Sequence, residues 1–424
     1  MAKTQKILML IENESGIEDD RVWPEATTLR DHGYQVSIIC PKGTSDSQER
    51  NLYVEGIHVY HYRVPMGANT FTSYLVEYIV SVMKMFLLSF KVWYRHGFDV
   101  IHVSNPPDLL FPIGWFYRIF GKKYIFDQHD LTPELFRVKF KDRKKLIHRL
   151  LLFLEKCSYQ TAHIVITTNL SQKRFAIERG CHPDKIFIVR NGPDVKRIKS
   201  VTLKPELKRG RRYLLAYVGV MDVQDGVEYA LLALDDLVHK RGRQDVSLVL
   251  MGSGDNATPL HALAHKLELD DYVNFTGWVK KKDLVCYLTM ADIGLVPDPQ
   301  NGLNEYSTMI KTMEYMAMGK AVVGFDLAET RFSAQDAGLY ATPNLVEDLA
   351  NKIETLLDDE ELRLKMGALG RKRVEVALSW DHSKTNLLRA YEALFQQENA
   401  LSVSDATESD PKAYISKENT IPET

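Results

Sequence analysis

The chain reads as an α/β protein of two parallel-sheet domains facing each other across a cleft. Three observations lead there. Strand-like and helix-like stretches alternate along nearly the whole length, the apolar strands deliver polar residues at their ends, and one polar break divides the series into two similar halves. At 424 residues the chain suits two domains, because a single core stops growing near about 250–300 residues.

The elements follow in order. KILMLIE is a strand, DRVWPEATTLRDHG a helix ended by Gly33, and QVSIICP the next strand. The apolar run ILMLI is too short for the core of a signal peptide, so no secretion is implied. YLVEYIVSVMKMFLLSFKVW, 74–93, has the length of a membrane span, about 20 residues, but carries Glu77, Lys84 and Lys91; a helix packed on a sheet fits better. DVIHVSNPPD and KYIFDQHDLTPE end in polar residues at the edge where open α/β sheets bind ligands. HIVITTN and KIFIVRNGPD close the first half. The break VTLKPELKRGRR, 201–212, is the expected linker, and a second series runs from YLLAYVGVMDVQDGVEYALLAL to ADIGLVPD. From about residue 400 the composition turns to Ser, Asp, Glu, Lys and Pro, and 400–424 reads as a disordered tail.

Composition excludes several classes. With 45% hydrophobic and 26% charged residues the chain is that of a soluble globular protein, and a net charge of −2 argues against general nucleic-acid binding. Cys40, Cys157, Cys181 and Cys286 are scattered without a C-x-x-C pair, which fits a reducing cytosol. The His, Asp and Glu residues do not gather at metal-ligand spacings, so no metal is expected. The stretch 137–149, RVKFKDRKKLIHR, opened by Arg137 and closed by Arg149, holds seven Lys or Arg and one Asp and runs into LLLFLEK. It fits either an anionic membrane surface or a solvated face of a packed helix.

The densest chemistry lies in NEYSTMIKTMEYMAMGKAVVGFD, 304–326. Spacings of four and three put Ser307, Lys311 and Glu314 on one helix stripe, while Met309, Met313 and Met316 form a second that reads as packing. With Ser307 as N-cap and Gly319 as stop, the helix is expected from about Thr308 to Met318. Ile310 closes no capping box, so the first amides stay open to an anion. A carboxylate such as Glu314 takes two adjacent hydroxyls well; the plain alternative is a solvated Glu314 with Lys311 as its surface partner. Gly219, Gln224, Asp225 and Gly226 follow a strand, as cleft lining or ordinary turn residues. His129 and Asp130 follow YIFDQ. His102, Asn105 and Asp108 end the neighbouring strand, where they offer groups to acceptor or donor hydroxyls, although His102 equally fits a satisfied core histidine.

Taken in order, DDRVWPEATTLRDHGYQVSIICP, FDVIHVSNPPDLL, FDQHDLTPE, VRNGPD, YVGVMDVQDGVEY, STMIKTMEYMAMGKAVV and ETRFSAQDAGLYATPN resemble the family 4 retaining glycosyltransferases of the GT-B fold, over about residues 5–398. The resemblance implies two Rossmann-like domains: 1–200 on the acceptor side, completed by a helix at 380–398, and 213–379 for the nucleotide sugar. It implies a metal-independent, hexosyltransferase-type enzyme without cofactor. Its donor is a nucleotide-diphosphate sugar, a UDP-sugar as first guess, and its acceptor a glycan or lipid-linked saccharide of cell-surface polysaccharide synthesis. The setting implied is cytoplasmic and peripheral on the membrane's inner face. His129 becomes the contact to the transferred sugar and Glu314 the ribose ligand, with Lys311 and the Ser307–Thr308 turn at the diphosphate; the first three are the catalytic set. Two departures stand out. Tyr306 occupies a place where the family often has Glu, with Glu305 one step out of register, and Val220 and Asp225 stand where it has Arg and Lys. The diphosphate is thereby left to Lys311, helix-start amides and Arg190. Two rival readings are a nucleotide-sugar 2-epimerase of the same fold and a non-catalytic partner in a glycosyltransferase complex.

Overall fold

The computed structural model describes residues 4–12, 15–17, 19–43, 51–63, 71–140, 145–195 and 203–407. Residues 141–144 of the basic stretch, 201–202 of the expected linker and 408–424 of the expected tail lie outside these.

Among the described residues the first domain holds an eight-stranded sheet. Its strands are β1 (Lys6–Leu10), β2 (Gln35–Pro41), β3 (Asn51–Val54), β4 (Ile57–Tyr62), β5 (Val100–Ser104), β6 (Lys123–Gln128), β7 (Ile164–Thr167) and β8 (Ile186–Ile188). The order is β3-β4-β2-β1-β5-β6-β7-β8, parallel except for β3 against β4. The second domain holds β9 (Tyr213–Val218), β10 (Val246–Met251), β11 (Val273–Gly277), β12 (Ile293–Val296), β13 (Ala321–Phe325) and β14 (Gly338–Ala341) in the order β11-β10-β9-β12-β13-β14, all parallel. Central strands such as VIHVS of β5 and VSLVLM of β10 are buried throughout, as strands covered on both faces must be.

Helices cover both faces of each sheet. Helix α1 (Val22–Asp31) lies on one face of the first sheet; α2 (Phe71–Arg95), α3 (Phe111–Arg118), α4 (Thr132–Phe140), α5 (Lys145–Thr161) and α6 (Leu170–Glu178) follow. Residues Ser81, Met85, Ser89 and Val92 of α2 are buried at helical spacing, so this long helix packs by one stripe, and among the described residues no helix is long and apolar enough to cross a membrane. In the second domain come α7 (Val227–Asp235), α8 (Ala257–Lys266), α9 (Lys281–Met290), α10 (Ile310–Ala317), α11 (Ala328–Ala334), α12 (Val346–Asp358) and α13 (Glu360–Arg373). The last helix, α14 (Trp380–Thr407), returns to the first domain and shares a core with α1. Trp380 donates through Nε1 to Thr28 Oγ1 at 3.0 Å, and Tyr391 and Leu394 are fully buried beside Ile7 and Ala26. Residues 400–407, expected in a disordered tail, continue this helix.

Part of the expected linker also belongs to a packed surface. Pro205–Lys208 form a 3₁₀ turn, Lys208 Nζ pairs with Asp292 at 2.7 Å, and Arg209 donates to the Val273 carbonyl at 2.6 Å. A polar, Pro-containing composition marks an exposed segment without saying which domain its cations will hold.

Each sheet has a switch point. Strand β1 sits between β2 and β5, and β9 between β10 and β12, so the chain leaves each pair in opposite directions and opens a crevice at the carboxyl ends. These two crevices carry the polar residues described next. Because Trp380 anchors α14 on α1, Trp380→Ala should lower unfolding stability by about 3–5 kcal/mol, read as a fall in the urea midpoint. A loss below about 1 kcal/mol would show that α14 is not an integral part of the first domain.

Candidate active site

On the first-domain side the centre is Asp127, the fifth residue of β6. Its carboxylate accepts Arg21 Nε at 3.0 Å and NH2 at 2.6 Å, and pairs with His129 Nε2 at 2.7 Å. The same guanidinium donates to the Val189 carbonyl at 2.8 Å and to Asn191 Oδ1, tying α1 to the end of β8. Burial alone would raise the Asp127 carboxyl, but Arg21 and His129 beside it hold it well below the usual range. Glu25, one turn beyond Arg21, has no hydrogen-bond partner for either oxygen, and burial together with the Asp127 charge pushes it well above the ordinary carboxylate value. Glu25, His102 and Asp127 bring ligand atoms within 4.8 Å of one another, a set with metal-ligand spacing that the sequence order hides. The cation at that set is Arg21.

His102 departs from the expected acceptor-side role. It is fully buried, its Nδ1 meets the Tyr391 hydroxyl at 2.8 Å, and burial lowers its pKa; it is a core histidine whose Nε2 lies 3.5 Å from Asp127 and 3.6 Å from Glu25 without a hydrogen bond of its own. Asn105 and Asp108 are buried as well. Asn105 Oδ1 accepts the backbone N–H of His129 at 2.6 Å and of Asp130 at 3.2 Å, while its Nδ2 donates to Asp108 Oδ1 at 2.9 Å. These two residues therefore fold the loop that presents His129. Asp108 is pushed up to about 6 by burial, and burial raises the half-buried Asp130.

The second-domain side is built on α10. Lys311 and Glu314 leave the helix on one stripe, while Met313 and Met316 are fully buried on the other. The helix starts at Ile310, later than expected, and Ser307 is not its cap. Residues 307–309 are extended, Ser307 Oγ donates to the Leu303 carbonyl at 2.9 Å, and Met309 stands at the N-cap without a side-chain bond to the first amides. Lys311 is almost fully buried, with Nζ 2.9 and 3.1 Å from the two oxygens of Asp298 and 4.7 Å above the Tyr217 ring. Burial works against its charge, but Asp298 and Asp225 keep it above the usual lysine value.

Gly219, after β9, has φ +142°, and a Cβ there would meet Tyr217 Oη at 3.3 Å and Lys311 Cε at 3.4 Å. The backbone thus passes close to the lysine because nothing projects from it. Gly226, φ +62°, is the left-handed start of α7, and a Cβ there would lie 2.5 Å from the Pro297 carbonyl. Asp225 accepts the Asp222 N–H at 3.1 Å and is pushed up to about 7 by burial, against the pull of Lys311. Gln224 bonds Asp222 at 3.3 Å through its side chain, and its carbonyl accepts from Asn304 at 2.8 Å.

The two sides touch around the cleft. Lys281 of α9 pairs with Asp20 at 2.7 Å, and both act on the half-buried Glu314, whose carboxyl is pushed up to about 7, chiefly by burial. Arg190, expected at the diphosphate, instead pairs with Glu329 at 3.2 Å and donates to Thr308 Oγ1 at 3.3 Å. Asn169 donates to the same Thr308 oxygen at 2.9 Å and to the Tyr306 carbonyl at 2.8 Å, and the Tyr306 ring lies 5.0 Å from that of Phe175. Tyr306 is therefore a domain-to-domain contact. Sequence reasoning passed over Arg21, Asp127, Asp298 and Glu329; only Asp127 carried a local signal, two residues before His129 at a strand end. Arg21→Ala should remove about 3–5 kcal/mol of stability by leaving Asp127 buried without its cation, measured by urea unfolding, with an unchanged midpoint as the contrary result.

Two family descriptions match the chain: "Glycosyl transferase 4-like domain" over residues 20–192 and "Glycosyl transferases group 1" over 212–359. A GDP-mannose-dependent monoacylated alpha-(1-6)-phosphatidylinositol monomannoside mannosyltransferase of Corynebacterium glutamicum is 28% identical over 53% of this chain, a match that spans 62% of the relative's length. Sucrose-phosphate synthase from Thermosynechococcus elongatus superposes with a TM-score of 0.76 at 19% identity, covering 93% of this chain and all of that one. HepE from Anabaena, in complex with UDP-glucose, superposes at 0.69 and 14% identity, covering 92% and 99%. With both domains matched in order and the two-sheet architecture shared, the chain belongs to the group 1 glycosyltransferases with a glycosyltransferase 4-like first domain, on the GT-B fold.

Proposed function

We propose that the chain transfers a hexosyl group from a nucleotide-diphosphate sugar to a glycan, carried on a lipid, with retention at the anomeric carbon. The observation that carries this reading is the stripe of α10: Lys311 and Glu314 stand at the carboxyl-edge crevice of β9 and β12, facing the domain that presents His129. The ribose goes to Glu314, the diphosphate to Lys311 and the uncapped first amides of α10, and the transferred sugar to His129. The named donors of similar proteins, GDP-mannose and UDP-glucose, support a nucleotide sugar and differ in the base. UDP is the first nucleotide to try. The lipid carrier is suggested by the phosphatidylinositol mannoside in the relative's name.

The chemistry asked of the residues is mainly electrostatic. As the bond to the diphosphate breaks, charge builds on its oxygens, and a preorganised lysine with aligned amides stabilises that charge. The departing phosphate takes the acceptor's proton on the same face, so no strong protein base is needed. Metal independence is part of this proposal. Asp225, at about 7, is about half neutral near neutral pH, which lessens its repulsion of the diphosphate. Two ion pairs favour a non-catalytic partner instead: Arg190 is tied to Glu329 and Lys311 to Asp298.

The carboxylate of Glu314, not the acid, accepts two hydroxyls, so protonation competes with nucleotide binding. Affinity should therefore fall as pH drops below about 7, approaching tenfold per pH unit. Ionisation of Asp225 works in the opposite sense. Calorimetric titration of UDP and GDP from pH 5.5 to 8 should show that Glu314→Gln weakens binding and removes the acid-side loss while the Asp225 effect remains. Equal affinity and an equal pH profile in the variant would refute the ribose role.

A further inference from the structure

The first domain exposes an apolar face that its core does not use. On α2, Val76, Ile79, Met83, Leu87, Phe90 and Tyr94 recur at three and four residues and are 37–94% exposed, opposite the buried stripe of the same helix. On α3 and the turn that ends it, Trp115, Ile119 and Phe120 follow at 49–67% exposure, and on α5 Leu146, Leu150 and Phe153 at 53–80%. The three helices lie side by side on one face of the sheet. Phe90 of α2 stacks edge-on to Phe116 of α3 with centroids 5.6 Å apart, and Trp93 sits 5.1 Å from Phe120. An open groove between α3 and α5, lined by Trp115, Ile119 and Cys157, continues the face, since Cys157 falls on the Leu146, Leu150, Phe153 stripe. Scattered exposed apolar residues are ordinary on a soluble protein, but a continuous layer across three helices marks a contact surface.

The charge around it selects the occupant. The exposed charges of these helices are Arg95, Arg118, Lys145, Arg149 and Lys156, all positive, whereas their two acids are a half-buried Glu77 and a buried Glu155. A broad apolar face edged by cations without an exposed acid on the same helices fits an anionic bilayer surface, with aromatic Trp115 and Tyr94 at the headgroup level. The basic stretch 137–149 does not act as one unit here. Its Lys139 reaches Asp255 of the second domain at 2.8 Å, on the cleft side, while Lys145 and Arg149 belong to α5.

We infer that the outer face of α2, α3 and α5 docks on an anionic lipid bilayer. This surface lies outside the donor site, so its test is separate from that of the transfer reading. Flotation of the full chain should be at least tenfold greater with phosphatidylcholine vesicles holding 30% phosphatidylglycerol, about a third anionic, than with phosphatidylcholine alone. The exposed substitutions Leu87→Glu, Ile119→Glu and Phe153→Glu should each reduce it severalfold, with thermal unfolding unchanged. Arg149→Glu with Lys156→Glu should abolish the preference for anionic lipid. Flotation equal in both vesicles, or unaffected by the three substitutions, would overturn the inference. So would a dimer in light scattering that Leu87→Glu dissociates without vesicles, because a second copy would then cover the face.

Discussion

The first-domain side of the cleft depends on one buried charge, Asp127. A carboxylate taken out of water is tolerated only with a cation and further donors, and Arg21 supplies both through a two-point bond. That requirement organises its surroundings. Arg21 ties α1 to β8 through Val189 and Asn191, and Asp127 orients His129 from below, fixing which ring nitrogen is left for the cleft. Glu25, pushed towards its neutral form, completes the pocket without adding a second negative charge. The loop above is folded by Asn105, whose amide oxygen holds the His129 and Asp130 N–H groups in place.

The second-domain side follows a similar logic with the opposite sign. Lys311 is buried against Asp298 before any ligand arrives, so its charge is stored in position at the end of β12. A lysine so held is preorganised, but its partner also offsets it, and a diphosphate gains from it only what Asp298 does not already take. In the proposed donor site the shortage of cations read from Val220 and Asp225 would be offset in part by neutralising an acid, since burial pushes Asp225 up to about 7. Tyr306, where a carboxylate was expected, bridges the domains through Phe175 and Asn169. That contact and the Arg190–Glu329 pair set the separation across which the two sides face each other.

What the sequence made legible was local. Alternating strands and helices with polar strand ends gave the two-sheet fold, and the i+3 spacing placed Lys311 and Glu314 on one stripe apart from the methionines. Partnerships between distant residues were not legible. Arg21 meets Asp127 across 106 positions and Arg190 meets Glu329 across 139, distances over which no spacing rule operates. His102 illustrates the same limit: a histidine at a strand end can face the crevice or the core, and Tyr391, 289 residues away, decides for the core. The misplaced start of α10 had a different cause. Ser307 has the chemistry of a cap, but an interdomain contact at Thr308 keeps the backbone extended for two more residues.

The claim that the cleft holds a nucleotide diphosphate is tested most directly by thermal unfolding with UDP, GDP, ADP and dTDP in the presence of a chelator. A ligand that binds only the folded chain adds about 2.7 kcal/mol at a hundred times its dissociation constant, a shift of a few degrees for domains of this size. The account predicts such a shift for one nucleotide, with the others well behind. No shift with any of the four would contradict a donor site at Lys311 and Glu314.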